Sequence, residues 1–178
     1  MAPLRGPLLL ITVLVAAGCG GGDGHEVNTD AAATITVSSP AFAEGGEIPT
    51  RFTCDGEQIS PPLEWSGASP RAWALVVDDP DAPSGMFTHW VVLDIAKTTT
   101  SIESGHVPAG GVQVVNSSGH ASYAGPCPPS GEHRYRFTVY ALDAPTGLSG
   151  TASLDDAVQA IGDHANARGT LTAVYSRH

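Results

Sequence analysis

The chain has 178 residues, 42% hydrophobic and 15% charged, which suits one domain with a single core and excludes a disordered polymer. Its net charge of −10, from 18 acids against 8 lysines and arginines, excludes binding that depends on neutralising nucleic-acid phosphates and gives no attraction to an anionic bilayer. With 21 glycines and 14 prolines, the chain should hold many turns and few long helices.

Residues 1–18 read as a targeting segment rather than as part of the fold. Arg5 is the one early charge, and Leu8 to Ala17 is an apolar run too short to span a bilayer comfortably. The run ends in Val15-Ala16-Ala17-Gly18-Cys19. Small residues directly before a cysteine resemble a bacterial lipoprotein cleavage site, although Ala16 stands where leucine is commoner. The resemblance implies that Cys19 becomes the lipidated first residue of an envelope protein; an ordinary cleaved signal is the alternative. Residues 19–33 then read as a flexible polar tether, and 34–178 as the folded domain.

Thr34 to Val37 is β-branched and predicts a first strand, and Thr50 to Phe52 a possible second. Cys54 to Pro62 is loop chemistry, and Leu63 to Trp65 a short strand. Ala72 to Asp79 is the first strong strand, with Trp73, Leu75, Val77 and Asp79 on one face by the period-two rule. In Thr88 to Ile95 the same rule groups His89, Val91 and Leu93 against Thr88, Trp90 and Val92. Both faces are largely apolar, so the strand should be central. Val112 to Val115 can pair briefly. Ser117 to Gly131 is a long loop of glycine, proline and serine, the kind that is uncommon unless functional or pinned.

His133 to Leu142 is the clearest strand: His133, Tyr135, Phe137 and Val139 share one face, and Arg134, Arg136, Thr138 and Tyr140 the other. His133 and Tyr135 should therefore point the same way, roughly 6 to 7 Å apart. Arg134 and Arg136 read as a solvated or salt-bridged face. Ser153-Leu154-Asp155-Asp156 is a capping pattern that opens a helix with Leu154, Val158, Ile161 and Ala165 at helical spacing and Gly169 as its stop. Leu171 to Tyr175 closes the chain as a strand. The sum is a mostly antiparallel β domain with one helix near its C-terminus.

Two segments concentrate the chemistry: Asp79 to Trp90 (DPDAPSGMFTHW) and Gly125 to Tyr135 (GPCPPSGEHRY). An imidazole pair, a phenol and backbone N–H groups held by proline-locked loops can surround a phosphate or carboxylate. Asp79 would then orient a histidine or favour its protonated form rather than touch the anion. Three other readings use the same residues. Asp79, Asp81, His89 and His133 could ligate zinc, yet no recognised metal spacing is present. Ser117, Ser122 or Ser130 could serve a histidine as nucleophile, yet no G-x-S-x-G elbow occurs. Asp79, His89 and His133 could run acid–base hydrolysis. His106, His120, His164 and His178 read as structural, and His25 as exposed in the tether. Cys54 and Cys127 should pair in an oxidising compartment, with two separate buried thiols as the alternative. No cofactor is expected.

DPDAP (Asp79 to Pro83) followed by His89-Trp90, N-x-x-G (Asn116 to Gly119) and Y-x-G-P-C-P-P-x-G-x-H-R-Y (Tyr123 to Tyr135) resembles the phosphatidylethanolamine-binding protein family, in its bacterial Raf kinase inhibitor-like branch. CDGEQISPPLEW (Cys54 to Trp65) and a helix before a closing strand add to the likeness, which runs from about Thr34 to Arg177. The resemblance implies a mainly β fold of two antiparallel sheets with a small anion pocket that accepts phosphate-like groups, lipid headgroups among them. By motif position, Asp79, Asp81, His89, Pro129, His133 and Tyr135 would line or shape that pocket. The C-P-P segment with a partner cysteine in CDG is similar to secreted bacterial members and supports a Cys54–Cys127 bond. Phe87 departs from the pattern, standing where relatives usually carry tryptophan. The expected protein is a non-enzymatic, lipid-anchored binding protein outside the cytoplasm. Its ligand would be small and anionic, its membrane contact would run through Cys19, and it would bind no nucleic acid. An interaction or inhibitory protein acting through its surface is the other reading, with its protein partner unspecified.

Overall fold

The computed structural model describes residues 25–177; the predicted signal segment and Cys19 lie outside the described residues. Two sheets face each other. The larger joins β1 (Ala32–Ala33), β9 (Ala165–Arg177), β8 (Gly131–Leu142), β4 (Ala72–Asp79), β5 (Phe87–Ala96) and β7 (Val112–Val114), in that order. The smaller joins β2 (Thr36–Ser38), β3 (Leu63–Ser66) and β6 (Ser101–Ile102). All strand pairs are antiparallel except β1 with β9. The fold is therefore the mainly β, two-sheet architecture that the alternating strands predict, with one helix, α1 (Leu154–His164).

Period two sorts the apolar residues of the large sheet into two cores. Trp73, Leu75 and Val77 of β4 and Tyr135, Phe137 and Val139 of β8 pack toward Val37, Leu63 and Trp65 of the small sheet. Ala72, Ala74 and Val76, with Tyr140 and Leu142, pack on the other face against Leu154, Ala157, Val158 and Ile161 of α1. Burying one such large apolar side chain contributes about 1.5–3 kcal/mol. Strand β4 is buried along its whole length because it is covered on both faces. Ser153 caps α1 as its sequence predicts: its hydroxyl accepts from Asp156 N–H, and the Asp156 carboxylate accepts from Ser153 N–H in return.

Three segments differ from the sequence reading. Thr50–Phe52 is a single 3-10 turn rather than a strand. It follows Pro49, is tied by Thr53 Oγ1 to Thr50 O at 2.9 Å, and plants Phe52 in the core. The helix ends at His164 instead of running toward Gly169, and β9 begins with the next residue. Alanines make Ala165–Ala167 look helical, but β8 offers an edge of 12 residues, and pairing along all of it overrides local propensity. Gly169 is thus mid-strand: a Cβ there would sit 2.0 Å from Ile35 O, so the glycine lets the small sheet's leading strand cross β9. Finally, part of the expected tether is built into the domain. Val27 is buried with the α1 core, and Ala32–Ala33 pair with Ala167–Arg168.

Cys54 and Cys127 form a disulfide across 73 residues of sequence, with Cα atoms 5.4 Å apart. The two segments also touch directly. Cys54 N–H donates to Pro126 O at 3.1 Å, and Gly125 packs so closely that a Cβ would lie 2.8 Å from the Thr53 carbonyl carbon.

Two outcomes follow from this packing. Gly169→Val should destabilise the domain by about 3 kcal/mol in a urea titration, since backbone cannot yield as a side chain does; a change within experimental error would contradict the close crossing. Thiol titration of the unfolded, unreduced chain should find neither Cys54 nor Cys127 free, and a Cys54→Ser/Cys127→Ser variant should lose up to about 4 kcal/mol by the chain-entropy argument.

Candidate functional site

A cavity of about 420 Å³ opens at one end of the large sheet, where β4 stops and β5 and β8 begin. Its lining includes Asp79, His89, His133 and Pro129, four of the six residues expected there. Three further segments complete the lining: Ala82, Pro83 and Ser84; Ser118 with Ala124, Gly125, Cys127 and Pro128; and Cys54 with Gln58. Among the described residues that line it there is no lysine or arginine.

The first motif works by pinning its own carboxylates. Asp79 Oδ1 accepts from Asp81 N–H at 2.8 Å, a local side-chain turn across Pro80, and Oδ2 accepts from His133 Nδ1–H at 2.7 Å. Asp79 is 4% and His133 8% exposed, so the pair is held away from water. A carboxylate can only accept when ionised; His133 therefore presents Nε2 as its free ring nitrogen. Asp81 does not line the cavity. Its two oxygens grip Arg134 in a fork, taking Arg134 N–H at 2.9 Å, Nε–H at 2.8 Å and Nη2–H at 2.6 Å. That fork, first among the causes, lowers the Asp81 carboxyl to about 2. A depressed carboxylate keeps its favourable contribution above its unfolded value and loses it as pH falls through about 2, so the fork survives mild acid. Asp81 thus fixes the residue next to His133 rather than meeting a ligand. Arg136, the other cation on that face, donates Nε–H to Asp78 Oδ1 at 2.6 Å.

His89 reaches the cavity through a break in alternation. Val77 pairs with Trp90 but Asp78 pairs with Thr88, so β5 carries one extra residue, His89. A bulge turns two successive side chains to the same side. His89 accordingly joins Trp90 on the inner face instead of Val91 and Leu93, contrary to the period-two grouping. Its ring lies 5.3 Å from Tyr135, edge-on, and 4.8 Å from Phe87. Phe87 therefore forms the apolar wall beside the imidazole. His89 Nδ1–H donates to Ala124 O at 2.8 Å, since a carbonyl can only accept, and Nε2 is the nitrogen left for the cavity. Burial, the largest influence, lowers the His89 pKa; the Ala124 carbonyl and Asp79 pull it upward and His133 downward. Near neutral pH the ring is uncharged.

Tyr135 lies under these rings, wholly buried and not among the lining residues. Its hydroxyl has no hydrogen-bond partner among the described residues, and burial followed by the Asp79 charge raises its pKa, keeping it a neutral phenol.

Asn116 is the residue that sequence reasoning left without a role. Its amide donates to His89 O at 3.1 Å and Ser122 O at 2.9 Å, and its oxygen accepts from Ser118 N–H, Ser118 Oγ–H and His120 N–H. Gly119, with φ +80°, closes the turn by donating to Asn116 O. The N-x-x-G spacing was the available signal. Buried and fully bonded, Asn116 holds the 117–124 loop against β5 and so fixes both His89 and Ser118.

Of the serines weighed as nucleophiles, Ser117 Oγ accepts from Thr88 N–H, and Ser117, Ser122 and Ser130 are all outside the lining. Ser118 does line it, but gives its proton to Asn116. Among the described residues no serine hydroxyl is bonded to His89 or His133, and no group of three or more His, Cys, Asp or Glu is placed to hold a metal ion.

Comparison with known proteins bears on the whole arrangement. The sequence profile of the phosphatidylethanolamine-binding protein family matches residues 38–176. A UPF0098 protein of Methanothermobacter thermautotrophicus is 45% identical over 150 residues, covering 80% of this chain and 99% of its own. The "Putative lipoprotein LppC" of Mycobacterium tuberculosis is 41% identical over 185 residues, covering 91% of this chain and 92% of its own. Escherichia coli YbcL, described as a new member of the mammalian PEBP family, superposes with a TM-score of 0.77 at 30% identity over 82% of this chain and all of its own. A Chlamydia trachomatis homologue gives 0.76 at 31% identity, over 82% of this chain and 99% of its own. On this profile, these relatives and the shared two-sheet fold, the chain belongs to the phosphatidylethanolamine-binding protein family.

Proposed function

We propose that the protein is a non-enzymatic binding protein, lipid-anchored through Cys19 in the bacterial envelope, whose cavity takes a small phosphate-bearing or otherwise anionic group. One observation carries the ligand reading: two imidazoles face one cavity with each Nδ1–H already committed, His133 to Asp79 and His89 to Ala124 O, so that both Nε2 atoms are left for a guest. Ser84, Ser118 and Gln58 on the rim add uncharged hydrogen-bonding groups. Family membership and the lipoprotein name of one relative support binding and anchoring, and the seat of the anchor rests on the small residues before Cys19.

The charge balance gives the site a pH signature. With the His89 ring neutral, the cavity offers no donor from its Nε2, and the Asp79 carboxylate nearby opposes an anion. Protonation of His89 converts that Nε2 from an acceptor to a donor and adds a positive charge beside Asp79. Anion binding should therefore take up a proton. His89 is depressed by burial, and a bound anion raises it again, so affinity should increase as pH falls.

The Asp79–His133 pair is the feature that favours the acid–base alternative, because a carboxylate-oriented imidazole is a common general base. Turnover of a phosphate ester, abolished by His133→Ala in a folded variant, would establish that reading instead.

Titration with inorganic phosphate should shift the NMR signals of His89 and His133 and leave those of His106 and His164 in place; unmoved cavity histidines would refute the site. With sulfate, whose charge is constant over this range, affinity should rise about 25- to 100-fold between pH 8 and pH 6, the gain expected when one histidine whose pKa lies at or below the ordinary 6.5 must be protonated. Affinity independent of pH would remove the proton-uptake argument. Asn116→Ala should cost about 2–3 kcal/mol of stability, since it orphans buried polar groups, and should weaken sulfate binding by loosening His89.

A further inference from the structure

The end of the large sheet opposite the candidate site carries a second concavity, of about 750 Å³. Its lining includes Ser69, Pro70 and Arg71 before β4, Lys97 and Thr98 after β5, and Pro145 in the loop after β8. Arg71 and Lys97 are exposed cations in a chain of net charge −10. The register makes them neighbours. Ala72 pairs with Ala96 across the antiparallel β4–β5 ladder, so one step further along Arg71 stands opposite Lys97. Directly opposed positions bring β-carbons to about 5 Å, and like charges there repel.

No carboxylate relieves this repulsion. Among the described residues, Arg51, Arg134, Arg136 and Arg177 each pair with an acid, whereas Arg71 and Lys97 pair with none. The acids closest along the adjoining strand ends are committed elsewhere. Asp94, at φ +55°, accepts from Thr146 N–H at 2.7 Å and Gly147 N–H at 2.9 Å, which also fixes the loop that carries Pro145. Asp143 Oδ1 lies 3.0 Å from His164 Nδ1. The backbone beneath both cations is tied down: Arg71 N–H donates to Leu142 O at 2.8 Å, and Lys97 O accepts from Trp73 Nε1–H at 3.2 Å. Two positive charges are thus held side by side on rigid strand ends, with the neighbouring acids turned to other partners.

We propose that this concavity is a docking site for a short acidic segment of a partner protein. Carboxylates of that segment would meet Arg71 and Lys97, and its carbon stems would lie against Pro70 and Pro145. Charge decides between polyanions of different size. A net charge of −10 repels an extended polyanion, whether nucleic acid or anionic bilayer, over its whole length. The two cations act over a Debye length, about 8 Å, which a short segment seated in the concavity satisfies and a long polymer does not. The concavity also has far more room than one inorganic anion needs. It is separate from the His89–His133 cavity, since the eight residues of β4, roughly 25 Å, lie between them.

The isotope-labelled domain with its disulfide intact is titrated at pH 8 and low ionic strength with a tetraglutamate peptide blocked at both ends. Amide signals of Ser69, Arg71 and Thr98 should shift, while those of Ser84 and Ser118 at the other cavity stay in place. Arg71→Gln and Lys97→Gln should each weaken binding about threefold, and the double variant about tenfold, the scale of exposed ion pairs. Both positions are exposed, so the variants keep the fold. Lys97→Arg, which keeps the charge, should bind as the parent does, and a tetraglutamine peptide should not bind. Shifts confined to Ser84 and Ser118, or undiminished affinity in the double variant, would overturn the proposal. Inorganic phosphate bound at Ser69 and Thr98 as tightly as the peptide would replace it with a simple anion site. Stronger binding to phosphatidylglycerol vesicles than to the peptide, lost in the double variant, would replace it with a membrane contact.

Discussion

The extra residue in β5 is the constraint on which the cavity depends. Without it, strict alternation would send His89 to the α1 side of the sheet with Val91 and Leu93. The cavity would then keep one imidazole and lose the other. The bulge has a local cost, since a residue is left out of the ladder, and its compensation is visible. The Ala124 carbonyl takes the His89 ring proton, Ala124 N–H and the Asn116 amide both donate to His89 O, and Ser117 bonds Thr88 at both N–H and C=O. The 117–124 loop thereby replaces the missing sheet neighbour. What resembles a loosely patterned glycine-serine stretch is the second edge of β5.

The first motif applies the same economy at β4. Each carboxylate of Asp79-Pro80-Asp81 serves a different residue of β8, Asp79 meeting His133 and Asp81 meeting Arg134. Proline between them sets the backbone, and Asp81 N–H closes back on Asp79. One histidine is oriented by its own partner and held a second time through its neighbour. The two side chains of β8 point to opposite faces of the sheet, so the clamp resists rotation of the strand as well as drift of the ring. The cavity is therefore built from rigid strand ends, with loops cross-tied to them, and its polar atoms are in place before any guest arrives.

Most of this was legible in particular residues. Alternation in Ala72–Asp79 and His133–Leu142 identified two strands and the faces they bury, and the capping pattern at Ser153 located the helix start. Asp79, His89, Pro129 and His133 were found by chemistry and motif position, and they do meet. What was not legible depended on partners distant in sequence. Period two cannot see a bulge, because the extra residue is defined only against the paired strand. Asp81 and Tyr135 lie beside the cavity and do not line it, because whether a carboxylate faces a cavity or an arginine, and whether a phenol lines a wall or underlies it, is decided by packing. The start of β9 was hidden by alanines that suit a helix equally well, and Gly169 looked like a stop signal when its purpose is to leave space for the backbone at Ile35. Val27 was lost among polar neighbours.

The bond between Cys54 and Cys127 joins two sides of the same cavity, and so ties the maturation of the site to the history of the chain. Where thiols are kept reduced, the Gly125–Pro129 wall is held to the Thr53–Cys54 turn by a backbone hydrogen bond and close packing alone. Once the cysteines are oxidised, the wall is fastened across 73 residues and the unfolded chain loses much of its freedom. A cavity assembled in this way takes its finished form only where its two cysteines can be oxidised, so the redox conditions the chain meets decide how firmly the two walls are joined.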